Sequence, residues 1–317
     1  MSSNDQVKVA IVGAGYMARE HIKAFQGITE VHVVGITSRT RTHAESLAME
    51  YGIPFVCDSV PELYEKTGAD LVVVAVSILS MNVVSKVCFN YPWTVLLEKP
   101  AGYNLFDAED IEVAARKANS KAFVALNRRF YSSTQQALSQ IKHIEGPRFI
   151  HVQDQEDLKR ALEAGQPELV VENWMYANSI HLIDYFNVFG RGKITTVEPL
   201  IPWNAKDPFI VVAKITFESG DTGLYEGVWH GPGPWFVNIN TTEKRWEMRP
   251  LEKGFCQLSG QRTMEEFGIH PWDQNYKPGL RLQAEEAVAV VQGKATTLPT
   301  LTDSLKSMQL VKAIFST

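Results

Sequence analysis

Over the first 126 positions the apolar residues fall in short continuous runs rather than in strict alternation. Residues 7–12, 31–37, 55–57, 71–76, 94–97 and 122–126 each read as a strand. Runs apolar on both faces belong to a parallel sheet covered by helices. Between them, residues 16–25, 43–51, 80–89 and 105–117 have helical spacing, and Gly52 closes the second of these helices. Ser59 with Glu62 three residues on is a capping-box signature for a further helix running to Lys66. Strands that alternate with helices in this way predict a doubly wound α/β sheet.

Beyond residue 130 the period changes. Residues 148–153, 224–229, 236–240 and 245–248, with parts of 194–201 and 210–217, alternate polar and apolar. Turn signals such as Ser219-Gly220-Asp221 and Thr241-Thr242-Glu243 separate them, which predicts a largely antiparallel sheet. Helices over 174–189, 280–291 and 302–315 would cover one of its faces. The expected architecture is an α/β Rossmann dinucleotide-binding domain over 1–130, followed by an α+β substrate-binding domain over 131–317. The uncovered face of the second sheet suggests a homodimer or homotetramer.

Size and composition narrow the function. A chain of 317 residues suits two domains. The net charge of −5 speaks against nucleic acid or an anionic membrane as partner. Cys57, Cys88 and Cys256 are scattered and form no Cys-x-x-Cys, as in a reducing compartment. No apolar run approaches the ~18 residues of a membrane span, and the first residues lack a secretory signal. A cytoplasmic protein acting on a small molecule, without a metal, is the expectation.

The first strand runs into Gly13-Ala14-Gly15-Tyr16-Met17-Ala18. In a Gly-x-Gly-x-x-Ala turn the first glycine permits the tight turn and the second lets backbone N–H groups approach a pyrophosphate. The alanine keeps the helix against the strand. Gly13, Gly15, Tyr16 and Met17 are therefore candidate cofactor contacts, as are Val76 and Ser77 after the fourth strand. At the end of the second strand, Thr37-Ser38-Arg39-Thr40-Arg41 has no carboxylate to bond a ribose 2′-OH. Arg39 and Arg41, with the hydroxyls of Ser38 and Thr40, suit the 2′-phosphate of NADP, and the alternative is a polar loop that accepts NAD as well. Leu97-Glu98-Lys99-Pro100 stands at the carboxyl end of a strand, where ligands bind in such sheets. Lys99 there can donate to a substrate oxygen and relay a proton.

The fingerprint, Glu98-Lys99-Pro100, and Asn127-Arg128-Arg129-Phe130 after the sixth strand, followed by an antiparallel domain, resemble the Gfo/Idh/MocA oxidoreductases. The stretch Pro299-Thr300-Leu301-Thr302-Asp303 resembles that family's closing helix. The resemblance implies hydride transfer between NADP, or NAD, and a secondary alcohol or ketone carbon. Lys99 and Glu98 would lie beside the nicotinamide, and Asn127 and Arg128 near substrate or cofactor. It also implies an Asp-x-x-x-His helix, which here reads Ala177-Asn178-Ser179-Ile180-His181. His181 takes the histidine's place as acid and base, with a satisfied core histidine as the alternative reading. The aspartate is missing, Asn178 is left to orient the ring, and Asp184 is read as structural. Gln153, Trp174 and Tyr176 are substrate candidates by position. The aromatic segment 227–235 is either ligand-binding or core. Two departures flank the cofactor region: Val76-Ser77-Ile78-Leu79-Ser80-Met81 and Asn90-Tyr91-Pro92-Trp93 replace the family's usual residues. A sugar or nucleotide sugar is the expected substrate. The competing reading is a non-catalytic NADP-binding sensor or partner-binding protein, and a methyltransferase fits the motifs poorly.

Overall fold

A computed structural model describes residues 6–316 of the chain, in two compact units. The first begins with β1 (Val7–Val12), α1 (Tyr16–Gln26), β2 (Val31–Thr37), α2 (Arg41–Tyr51) and β3 (Phe55–Cys57). It continues with α3 (Val60–Thr67), β4 (Leu71–Val74), α4 (Met81–Cys88), β5 (Thr94–Glu98), α5 (Leu105–Lys117) and β6 (Ala122–Ala125). The strands form one parallel sheet in the order β3-β2-β1-β4-β5-β6. β4 and β5 are buried along their whole length, which is why their sequences carry no polar alternation. Strand order reverses between β1 and β4, and the crevice at the carboxyl ends of the strands there is the place for a ligand. The capping box forms: Ser59 Oγ accepts from the amide of Glu62, whose carboxylate accepts from the amide of Asp58.

The second unit contains α6 (Ser132–Ile141), β7 (Phe149–Glu156), α7 (Leu158–Glu163), α8 (Glu168–Glu172) and α9 (Ile180–Phe189). Then come β8 (Ile194–Ile201), β9 (Ile210–Phe217), β10 (Thr222–Trp229), β11 (Phe236–Asn240) and β12 (Lys244–Met248). β13 (Gly254–Leu258), β14 (Glu265–Phe267) and α10 (Pro271–Asn275) complete the series. The eight-stranded sheet runs β14-β13-β12-β11-β7-β10-β9-β8. All neighbours are antiparallel except β7 and β10, which run parallel. β13 and β14 escape the sequence reading because they are short and largely half-exposed, and β14, at the edge of the sheet, is polar as well. α9 is buried nearly all round and packs on β7. The predicted single helix over 174–189 is in fact broken, with a π turn over Met175–Ser179 preceding α9.

The boundary also differs from the one predicted. The first unit ends at Asn127 and is completed by residues 274–305. That returning segment holds α11 (Leu280–Val291) and opens α12 (Leu301–Phe315). Val124 of β6 donates its amide to Pro299 O at 2.9 Å, and Arg281 Nη2 donates to Gly27 O at 2.8 Å. α11 thus covers a face of the parallel sheet that the first 127 residues leave bare. No helix among the described residues is long and apolar enough to cross a membrane.

Candidate functional site

In the first unit the glycine turn has the form its sequence implies. Gly13 sits at φ +116°, and a Cβ there would lie 2.0 Å from Ala75 O, so no side chain fits. A Cβ on Gly15 would meet nothing within 4 Å, which leaves clear space in front of the helix. Gly15 caps α1 without a side-chain hydrogen bond, and the first turn carries no acidic residue. The free amides of that turn and the helix dipole therefore favour an anion there. Ala18 is fully buried, Met17 half-buried, and Tyr16 65% exposed. These residues fit a dinucleotide pyrophosphate.

At the end of β2, Ser38 is half-buried and Arg39 exposed. Arg41 is engaged by Glu45 at 2.8 Å and by Asp58. Arg39 has no ion-pair partner among the described residues. Ser77 is exposed and bonds Ser80 through its hydroxyl, beside half-buried Val76. Lys99 is half-buried where β5 ends, before a cis Lys99–Pro100 bond.

Glu98, expected beside the cofactor, is held from within the first unit. Its carboxylate is buried, with one oxygen 2.6 Å from His21 Nε2 on α1 and the other accepting from the Lys99 amide at 3.1 Å. Both oxygens have partners inside the protein, and the side chain fixes the backbone of Lys99. His21 carries no sequence signal beyond its position on α1. Asn127 is buried, and its amide donates to Pro278 O at 3.1 Å.

The second unit assembles a separate cluster on the inner face of β7. Glu156 is 2% exposed and accepts from Trp174 Nε1 at 2.6 Å and from Asn178 Nδ2 at 2.8 and 3.0 Å. Ser179 Oγ lies 3.5 Å away. Asp154, two residues earlier on the same face, accepts from the Tyr225 hydroxyl at 2.8 Å. Its Oδ1 lacks a well-formed hydrogen bond although Ser179 and Glu156 adjoin it. Burial raises the pKa of both carboxyls, and for Glu156 the charge of Asp154 adds to the effect. The pair of buried carboxyls thus favours holding one proton between them. Burial also raises the Tyr225 phenol, with Asp154 contributing.

Asn178 and Trp174 belong to the turn leading into α9, and His181 follows in its first turn, 9% exposed. The His181 ring lies 6.5 Å from that of Trp235, over which the Arg128 guanidinium is stacked at 4.1 Å. Single π turns inside helices are frequent at functional sites. The structure thus brings Trp174, Asn178, His181 and Arg128 into one neighbourhood. Gln153 is not among them: it points to the opposite face of the sheet, where its amide donates to Glu226 at 3.0 Å. Buried Tyr176 lies in the same π turn. Asp184 accepts both donors of Arg129 at 2.7 Å and the Ser307 hydroxyl at 2.6 Å, a structural engagement. The aromatic segment divides: Trp229 is core, packed on Trp203 and Phe315, while Trp235 joins the cluster. Asp154 and Glu156 were missed because the predicted strand stopped at 153.

The parallel sheet with its glycine turn defines a Rossmann nucleotide-binding unit. Residues 7–126 match the Gfo/Idh/MocA model, described as an oxidoreductase family with an NAD-binding Rossmann fold. A curated relative, the 4-carboxy-2-hydroxymuconate-6-semialdehyde dehydrogenase of a Sphingobium species, is 23% identical over 192 residues. That similarity spans 59% of this chain and 60% of the relative's length. Among solved structures, a dehydrogenase from Chromobacterium violaceum superimposes with a TM-score of 0.84 at 19% identity, covering 98% of this chain and 95% of the other. A UDP-N-acetylglucosamine 3-dehydrogenase from Acidithiobacillus ferrooxidans gives 0.78 at 14% identity, with 98% and 97% covered. These likenesses concern the fold of the whole chain.

Proposed function

We propose that the protein is an NAD(P)-dependent dehydrogenase that interconverts a secondary alcohol and a ketone on a sugar or nucleotide sugar. The observation that carries this reading is Lys99, half-buried at the carboxyl end of β5 in an NAD-binding sheet, with its backbone fixed by the buried Glu98. The residues that would hold the cofactor are Gly13, Gly15, Tyr16 and Met17 at the pyrophosphate and Ser38 and Arg39 at the adenosine ribose. Arg39, free of carboxylates, favours NADP over NAD. A bound nicotinamide supplies or accepts the hydride.

The chain's own residues handle the proton and the substrate. Lys99 Nζ donates to the substrate oxygen and stabilises charge on it as the carbon changes hybridisation. His181 takes the hydroxyl proton in oxidation and returns it in reduction. Trp174, Asn178 and Arg128 flank the histidine and are proposed to bind the substrate, the indole of Trp235 offering a face for a sugar ring. The solved nucleotide-sugar dehydrogenase of the same fold supports this substrate class. Half-exposed Leu224 and Val228 on the outer sheet face support self-association as a homodimer or homotetramer.

Exchange of labelled hydride from NADPH into a panel of sugars, inositols and nucleotide sugars tests the reading. Lys99→Ala should abolish exchange while NADPH still binds. A variant that turned over its substrate at the wild-type rate would overturn the assignment.

A further inference from the structure

The segment that returns to the first unit carries a cation to the phosphate end of α1. Its start is pinned at three points. The Tyr276 hydroxyl lies against Gly27, where a Cβ would come within 2.3 Å of it. Arg281 Nη2 donates to Gly27 O, and Asn127 Nδ2 to Pro278 O. Lys277 reaches the other way. Its ammonium lies 5.5 Å from the ring centroid of Tyr16, the first residue of α1 and the one after Gly15. Tyr276 and Lys277, neighbours in sequence, therefore touch opposite ends of a helix ~16 Å long.

The charge of Lys277 is not neutralised there. The other cations on α1 are paired, Arg19 with Glu50 and Lys23 with Glu20. Lys277 has no carboxylate partner among the described residues, and the first turn of α1 holds no acid. An ammonium resting on an exposed tyrosine ring is weakly held, whereas a phosphate oxygen offers a charge-assisted hydrogen bond about twice as strong as a neutral one. The four-carbon stem of lysine lets the ammonium swing from ring to phosphate within its own reach.

We propose that Lys277 binds the pyrophosphate of the dinucleotide, adding a cation from the carboxyl-terminal return segment to the amides of the glycine turn. The proposal rests on the nucleotide-binding part of the reading above and is independent of the reaction. The matched family segment ends at residue 126, well short of this lysine.

Affinity, measured without turnover, tests it. NADPH is titrated by its fluorescence, and ADP-ribose and adenosine 2′-monophosphate by calorimetry, against wild type, Lys277→Gln and Lys277→Arg. Lys277→Gln should bind NADPH and ADP-ribose about 10-fold more weakly, a loss of about 1.4 kcal/mol. Adenosine 2′-monophosphate, which lacks the pyrophosphate, should bind unchanged, and Lys277→Arg should recover most of the loss. Added salt should weaken ADP-ribose binding less in Lys277→Gln than in wild type. Equal ADP-ribose affinity in wild type and Lys277→Gln would overturn the proposal. So would a loss confined to ligands carrying nicotinamide. A wild-type protein that bound none of the three would bring down the nucleotide reading itself, whereas tight binding without hydride exchange would leave Lys277 standing and remove only the enzyme assignment.

Discussion

Glu156→Gln should flatten the dependence of stability on pH. In the folded protein Glu156 is buried beside Asp154, and burial followed by the charge of Asp154 raises its pKa. The unfolded chain titrates it near the usual ~4.3. Between those two values the folded state holds a proton that the unfolded state has released, so stability falls as pH rises. The slope approaches about 1.4 kcal/mol per pH unit for one such proton. Glutamine reproduces the protonated acid: its carbonyl accepts from Trp174 and Asn178, and its amide donates towards Asp154 as the acid proton does. The variant should thus gain on wild type from pH 5 upward, with a constant offset of about 1 kcal/mol from imperfect hydrogen bonds. Urea unfolding at pH 5, 6, 7 and 8, followed by tryptophan fluorescence, reads this directly, because six of the seven tryptophans belong to the second unit. Parallel stability curves for the two proteins would refute the shared-proton account.

The glycines of the turn should separate folding from binding. Gly13→Ala should destabilise on the order of 3 kcal/mol, since its methyl collides with Ala75 O at positive φ, whereas Gly15→Ala meets no protein atom and should keep the wild-type melting temperature while weakening NADPH binding. A Gly13→Ala protein melting with wild type, or Gly15→Ala binding as tightly, would contradict the geometry. Arg39→Ala should shift the ratio of Kd for NADP to Kd for NAD by about 10-fold or more towards NAD, as loss of a charge-assisted phosphate contact implies. An unchanged ratio in equilibrium titrations would return the loop to a general polar role.

The parts of the site legible in the sequence are those where backbone chemistry admits one residue type. Gly13 stands against Ala75 O at positive φ, Ser59 caps α3, and Lys99 ends a strand too apolar to be read otherwise. What escaped depends on which face a residue turns and what meets it there. Asp154 and Glu156 continue the buried parity of Ile150 and Val152, but their polarity ended the predicted strand at 153, and the donors that satisfy Glu156 arrive 18 and 22 residues later in the chain. Gln153 failed as a cluster member by being one step out of phase with them. The break before α9 was invisible because a π turn shifts the register of an apolar helix without changing its composition. The role of Glu98 needed His21, a histidine that helical spacing places on a buried face and nothing in the sequence pairs with a carboxylate 77 positions away.

Because the parallel sheet takes its last strand partner and a covering helix from residues 274–305, the nucleotide-binding unit is written in two separated pieces of the gene. A fragment ending at residue 127 would present Phe123 and Val124 as a ragged margin and leave α1 without its neighbour, a recipe for aggregation. Domain exchange with a relative would therefore need a double crossover, keeping both pieces from one parent. A nonsense or frameshift mutation before residue 274, far from the glycines, would therefore also leave the parallel sheet incomplete.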